Sequence, residues 1–218
     1  MIKKKIAQFG KIKNALIVVF LLFTVSGLVG INSLSKVSVS FRSIYEDRLV
    51  PSNQVALMSQ FEYAIKSLIK RQILDGSAEL DETEMASIKT YNASIDSLQK
   101  LYSNTFLTPA EYEAFKQYKV NKKLFDDVVA KVFSLVQLNE PVQAAQLFES
   151  EGYSTFDAMI LPLQEIALIQ VKVGEELYQS SYDRINNVRR ISFITLGIAF
   201  TVTLFIALYY TFIHYERD

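Results

Sequence analysis

The chain has 218 residues, 23 of them basic and 23 acidic, so no net charge directs it toward nucleic acid, and no nucleic-acid partner is expected. It has no cysteine, which excludes disulfides, thiolate metal sites and cysteine nucleophiles. Its single histidine, His214, leaves little room for metal or general-base chemistry, so neither a metal nor a cofactor is expected.

Lys3, Lys4, Lys5, Lys11 and Lys13 precede an apolar run, Ala15–Ile31, which Asn32, Ser33 and Leu34 extend. A short basic flank holds its end of a membrane helix in the cytoplasm, so 1–13 are expected to be cytoplasmic and 14–34 to cross the membrane. A cleaved signal peptide also starts with a basic region and has small residues such as Ser26-Gly27 near its end. This run exceeds the usual signal core, and helical spacing continues past it, so an uncleaved anchor is the reading taken. Ser26 and Gly30 are four apart, with Gly27 beside them, a spacing that lets helices approach closely.

The spacing predicts that this helix continues to about Leu74. Val37, Phe41 and Ile44 give one stretch of an apolar stripe, and Val55, Met58, Phe61, Ile65, Leu68 and Gln72 resume it. Pro51 lies between them and predicts a kink or bulge, since proline lacks the amide hydrogen and disfavours helix in the residue before it. Gly76 is a candidate for the left-handed stop. Val39, Leu57, Ile69 and Ile73 lie off the stripe and predict a second copy packed on this helix, giving a homodimer.

A second helix is predicted over Glu82–Ser103, with Met85, Ile88, Ile95, Leu98 and Tyr102 in its stripe and Asn92 interrupting it. Thr108-Pro109-Ala110-Glu111 reads as a capping box opening a third helix, which carries Tyr112, Phe115, Phe125, Val128, Val132 and Leu135 and fades near Asn139. Pro141 starts a short helix through Phe148 that Gly152 is expected to break. Ser154-Thr155-Phe156-Asp157 reads as a further capping box, opening a fourth helix with Met159, Leu163, Ile166, Gln170, Val173, Leu177 and Ser180 on its seam and a kink at Pro162.

That helix runs without a breaker into Ile191–Ile213, which carries no charge. A bilayer core of ~30 Å needs about 20 helical residues, so 191–213 are expected to form a second membrane helix. Arg189 and Arg190 flank one end, while Tyr209, Tyr210 and Tyr215 crowd the other, where aromatic rings favour the headgroup boundary. The expected organisation is an all-α, up-down-up-down four-helix bundle over 35–190 whose first and last helices continue into two membrane helices. Both termini are expected in the cytoplasm and the bundle outside, with 214–218 a cytoplasmic stub. A membrane placement is expected, with membrane lipid as a partner.

This layout resembles the four-helix-bundle sensory module of bacterial methyl-accepting chemotaxis receptors, over Met1 to about Ile213. The local marks are Tyr45-Glu46-Asp47-Arg48-Leu49-Val50-Pro51 in the first helix, Asn139-Glu140-Pro141-Val142-Gln143-Ala144-Ala145, Phe156 through Leu163, and Leu168-Ile169-Gln170. The resemblance implies a chemosensory input module that takes an extracytoplasmic small molecule or binding protein and transmits its presence through the second membrane helix. It implies an aromatic pair, Tyr209 and Tyr210, setting the depth of that helix. It also implies a HAMP module and signalling hairpin downstream, whereas only 214–218 follow the second run here. The expectation is therefore the input half of a longer protein, or a sensor with a separate cytoplasmic output partner. Other readings are a membrane anchor or assembly protein without a ligand, and the input half of a histidine kinase or nucleotide cyclase.

Arg42, Arg48 and Arg184 are candidate contacts for an anionic ligand, among a basic neighbourhood that includes Lys36, Arg189 and Arg190. Arg48 falls four residues after Ile44, on the seam, and must find a partner there. A carboxylate across the bundle is the plainer expectation, and lipid phosphates or nearby acids serve the others. The many aromatic rings allow a ring-lined pocket, although Phe61, Phe115 and Phe125 sit at core spacing. The carboxylate pairs Glu46-Asp47, Asp126-Asp127 and Glu175-Glu176 are sequence neighbours and point to different sides of a helix. No enzyme is expected.

Overall fold

The computed structural model describes residues 2–74 and 81–215; side chains are described for 13, 14, 16–73, 81–209 and 212. The elements are α1 (Ile2–Ser43), a π-helical segment (Ile44–Leu49), α2 (Val50–Leu74), α3 (Glu82–Ser103), α4 (Pro109–Gln137), α5 (Pro141–Leu147), a second π-helical segment (Phe148–Gly152) and α6 (Tyr153–Tyr215). Among the described residues there is no strand. The expected stop at Gly76 lies outside the described residues.

The chain divides into two compact units. One, Arg42–Glu176, is the four-helix bundle, formed by α2, α3, α4 and the first part of α6. Val55, Met58, Ile65 and Ile69 of α2, Ile88 and Ile95 of α3, Phe115, Phe125 and Val132 of α4, and Phe156, Met159, Leu163 and Ile166 of α6 close a common core. Burying each such side chain contributes about 1.5–3 kcal/mol. Phe125 meets Phe156 edge-on at 5.4 Å, the geometry that sets a ring's positive rim against a negative face.

Local chemistry fixes the element ends. Asp81 caps α3 through its side chain, accepting from the amides of Thr83 and Glu84. Thr108 and Glu111 form the expected reciprocal box at the start of α4, with Pro109 in its first turn. Asn139 turns the chain out of α4 with φ at 59°, a left-handed conformation that asparagine tolerates better than most residues. The disturbance expected at Pro51 takes the form of the π-helical turn just before it.

Several local expectations are corrected. Gly152 does not break the chain; α5 passes through the second π segment directly into α6. Glycine is required there, because a Cβ would stand 2.5 Å from the Phe148 ring. Ser154 and Thr155 do not cap a helix, since their hydroxyls donate back to the Glu151 carbonyl. Tyr112 is exposed, and Glu111, Phe115 and Tyr118 carry the seam instead. Ser180 is exposed and Ser181 is buried. Ile69 and Ile73 lie in the bundle core, so they offer no surface to a second copy.

The other unit comprises Met1–Phe41 and Leu177–Asp218. Its apolar windows are 0 % and 11 % buried, so these helices present their side chains outward. Both are long and apolar enough to cross a membrane. Inside the runs, the hydroxyls of Thr24, Thr195, Thr201 and Thr203 each donate to the carbonyl four residues earlier. Such internal pairing is what a polar group needs where no water is at hand. Gly30 lies opposite Val188, whose Cγ1 is 4.0 Å from where a Cβ would sit, so contact there is close without requiring glycine.

Candidate functional site

Two buried polar clusters interrupt the apolar core of the bundle. The first forms around Arg48, on the π-helical turn. Its Nη1 donates to Glu111 Oε1 and Oε2, both at 2.9 Å, with the two side chains 7 % and 0 % exposed. Within the π turn Arg48 is buried, while Glu46 is exposed and Asp47 is half-buried. Glu111 serves twice, since its Oε2 also accepts from the Thr108 amide at 2.7 Å. Removing either partner of a buried pair costs about 3–5 kcal/mol, because the survivor is left charged and dry.

Tyr102 and Gln170 are buried in the same neighbourhood. Burial holds the Tyr102 phenol well above its usual range, with the Glu111 charge adding to it and Gln170 and Arg48 opposing. Gln170 is close enough to act on that hydroxyl, yet neither group makes a hydrogen bond of good geometry to the other. Arg48 Nε is likewise buried without a partner.

The second cluster lies between α2, α3 and α4. Tyr118 Oη donates to Glu62 Oε1 at 2.7 Å, and Lys122 Nζ stands 3.4 Å from the same oxygen. Lys122 also donates to Asn92 Oδ1 and Asp126 Oδ1, each at 3.1 Å. Burial raises the Glu62 carboxyl above the ordinary carboxylate range, against the opposing pull of Lys122 and the Tyr118 hydrogen bond. Burial also raises Tyr118, and the Glu62 charge adds to it. Of these residues, Glu62, Tyr118 and Lys122 were not singled out in the sequence, whereas Asn92 stood out in its stripe and Asp126 in a carboxylate pair. The signal was present, because Glu62 is four after Met58 and three before Ile65, and Lys122 is four after Tyr118 and three before Phe125.

The remaining candidates are scattered. Arg42 is exposed and pairs with Glu46 one turn on, Nε to Oε1 at 3.3 Å. Arg184 is exposed on α6, and Tyr209 is exposed near its end; the side chain of Tyr210 lies outside the described ones. Of the helix-1 motif, Tyr45 and Glu46 face outward, Asp47 accepts from Ser43 Oγ at 2.6 Å, and Pro51 is buried. A shallow groove of about 660 Å³ runs along α2 and α3, lined by Leu57, Phe61, Lys89, Ala93, Ser97 and Leu98 among others. Among the described residues no three acidic or histidine side chains gather as a metal site.

Comparison with known families gives a match over residues 4–185 to the four helix bundle sensory module for signal transduction. No curated protein matches the chain.

Proposed function

We propose a role that starts from family: the chain belongs to the four-helix-bundle sensory modules of chemotaxis receptors, modules that sense rather than catalyse. On this reading the chain is the input module of a membrane receptor. The bundle lies outside the cytoplasmic membrane and responds to a small molecule or a binding protein. The response passes along α6 to a cytoplasmic output region or partner.

The observation that carries the reading is α6 itself. It is one helix over Tyr153–Tyr215, with Met159, Leu163 and Ile166 in the bundle core and the uncharged run 191–213 further along. A helix is stiff along its axis, and shifts of ~1–2 Å at packed interfaces are a known scale for switching. Arg48 serves the bundle through Glu111, so the candidates left for contact with an anionic ligand are the exposed Arg42 in the one unit and, separately, the exposed Arg184 in the other.

A homodimer belongs to the same proposal, with α6 as the helix that meets its copy. Leu161, Leu168, Val171, Tyr178, Tyr182 and Ile185 are all exposed and recur at three-, four- and seven-residue steps. That is the pattern of a helix seam in want of a partner.

Two experiments test the role. Single cysteines at Ser103 and Asp218, in a chain otherwise free of cysteine, are treated with an impermeant reagent in intact cells. Labelling at 103 and none at 218 is expected; labelling at 218 contradicts the topology. Fusion of the chain to a HAMP-containing kinase-control module should then give kinase activity that changes when solutes are added outside. An inserted fusion whose activity ignores every solute tried favours the plain membrane-anchor reading.

A further inference from the structure

Glu62 is 0 % exposed. Its Oε1 holds the Tyr118 hydroxyl and the Lys122 ammonium, while its Oε2 is buried with no partner. Lys122 divides its ammonium between two carboxylates, Glu62 and Asp126. With all three ionised, the cluster carries one surplus negative charge around a group that water does not reach. Two carboxylates competing for one cation in such a place favour keeping a proton.

We infer that the Glu62–Lys122–Asp126 cluster is a proton-binding site in the bundle core, through which the side-chain link between α2 and α4 responds to the surrounding pH. The proton comes from solvent and takes the cluster from one negative charge to none. Asp126 is half-exposed and stands beside Lys122, which gives the site a way out to water. Oε2 of Glu62 is the oxygen free to take the proton, and Oε1 continues to accept from Tyr118. The contact that weakens is the ion pair from Lys122, which retains Asp126 and Asn92.

The groups around the site come from each packed helix. α4 supplies Tyr118, Lys122, Asp126 and Asp127; α3 supplies Asn92, Asp96 and Gln99. α6 faces the core with apolar Phe156, Met159 and Leu163. Burial, the largest influence, raises both Glu62 and Asp126, and Lys122 opposes it at each. A carboxyl whose pKa is higher folded than unfolded binds its proton more tightly in the folded state. Its contribution is therefore fully present below the unfolded pKa and is lost as pH rises through the folded one. The bundle should gain stability from this site as pH falls from neutral toward the ordinary carboxylate range. The inference stands on the bundle alone and does not require the sensory reading.

The test is thermal unfolding of the full chain in detergent, followed by its helical signal, from about pH 8 to about pH 5. The wild type should melt several degrees higher at the acid end. Glu62→Gln, a neutral mimic of the protonated acid, should lose most of that rise and melt at least as high as wild type at about pH 8. Asp126→Asn should move the rise to lower pH, because the surplus charge is gone. An unchanged pH slope in Glu62→Gln overturns the site. Should that variant fail to fold, infrared spectra of the wild type decide. A buried protonated carboxyl band that grows toward acid and shifts in Asp126→Asn supports the site, and a band absent throughout overturns it.

Discussion

The two buried charge clusters look alike in composition and differ in charge balance and in whether both oxygens of the buried glutamate are engaged. Arg48 and Glu111 bring one cation to one carboxylate, and both oxygens of that carboxylate are engaged by the guanidinium. The helix start at Thr108 is tied into the same carboxylate. Glu62 and Lys122 bring one cation to two carboxylates and leave Glu62 Oε2 without a partner. Matched charge and a carboxylate engaged at both oxygens make a strut, even with Arg48 Nε unpartnered; surplus charge and a spare carboxylate oxygen make a group that can titrate.

The largest effect should come from breaking the strut. Arg48→Met leaves Glu111 buried and uncompensated and should cost about 3–5 kcal/mol. The double variant Arg48→Met, Glu111→Gln should cost clearly less than the sum of the two singles, as chemical denaturation can show. Additive losses would mean that the two side chains act separately.

Tyr118→Phe comes next. It removes the only neutral donor to Glu62 Oε1 described here and should cost about 1–3 kcal/mol. Because a hydrogen bond that lowers the Glu62 pKa is lost, the acid-side rise in stability should start at higher pH. Thr108→Ala should cost about 1 kcal/mol through loss of the cap, with Glu111 still holding Arg48. The smallest effect belongs to Arg42→Ala. Its pair with Glu46 is exposed, and double-mutant cycles there should read no more than ~0.5 kcal/mol.

Asp81 gives the opposite pH sign and so sharpens the contrast. Hydrogen bonds from the Glu84 and Thr83 amides hold its carboxyl below the usual range. Its contribution is present above its unfolded pKa and is lost as pH falls through the folded one. Asp81→Asn should therefore flatten the acid limb of the stability profile, at lower pH than Glu62→Gln acts.

Periodicity and capping chemistry made most of the bundle readable in the sequence. α3 spans the residues expected, and the Thr108–Glu111 box is formed, because both rest on interactions within a few residues of each other. The second π segment was not legible. Gly152 has the look of a breaker, and only the Phe148 ring lying over it in three dimensions shows why a glycine is needed mid-helix. Ile69 and Ile73 were assigned to a second copy for a related reason. One stripe of spacing captures a narrow seam, whereas a helix in a bundle buries a wider arc. Arg48 was legible as a seam charge in need of a carboxylate, but the identity of Glu111 depended on how α4 packs. Glu62 and Lys122 also sit at seam positions, and a search for charges on the apolar stripe would have found them.

The claim that α6 carries a signal is tested most directly at Tyr209 and Tyr210. In a fusion of the chain to a HAMP-containing kinase-control module, the tyrosine pair is moved one position toward the bilayer centre or one position away, with no ligand added. Rings that favour the headgroup boundary pull their helix to match. The expected result is kinase output displaced in opposite directions in the two variants. Equal output from both, with insertion unchanged, contradicts signalling through the position of α6.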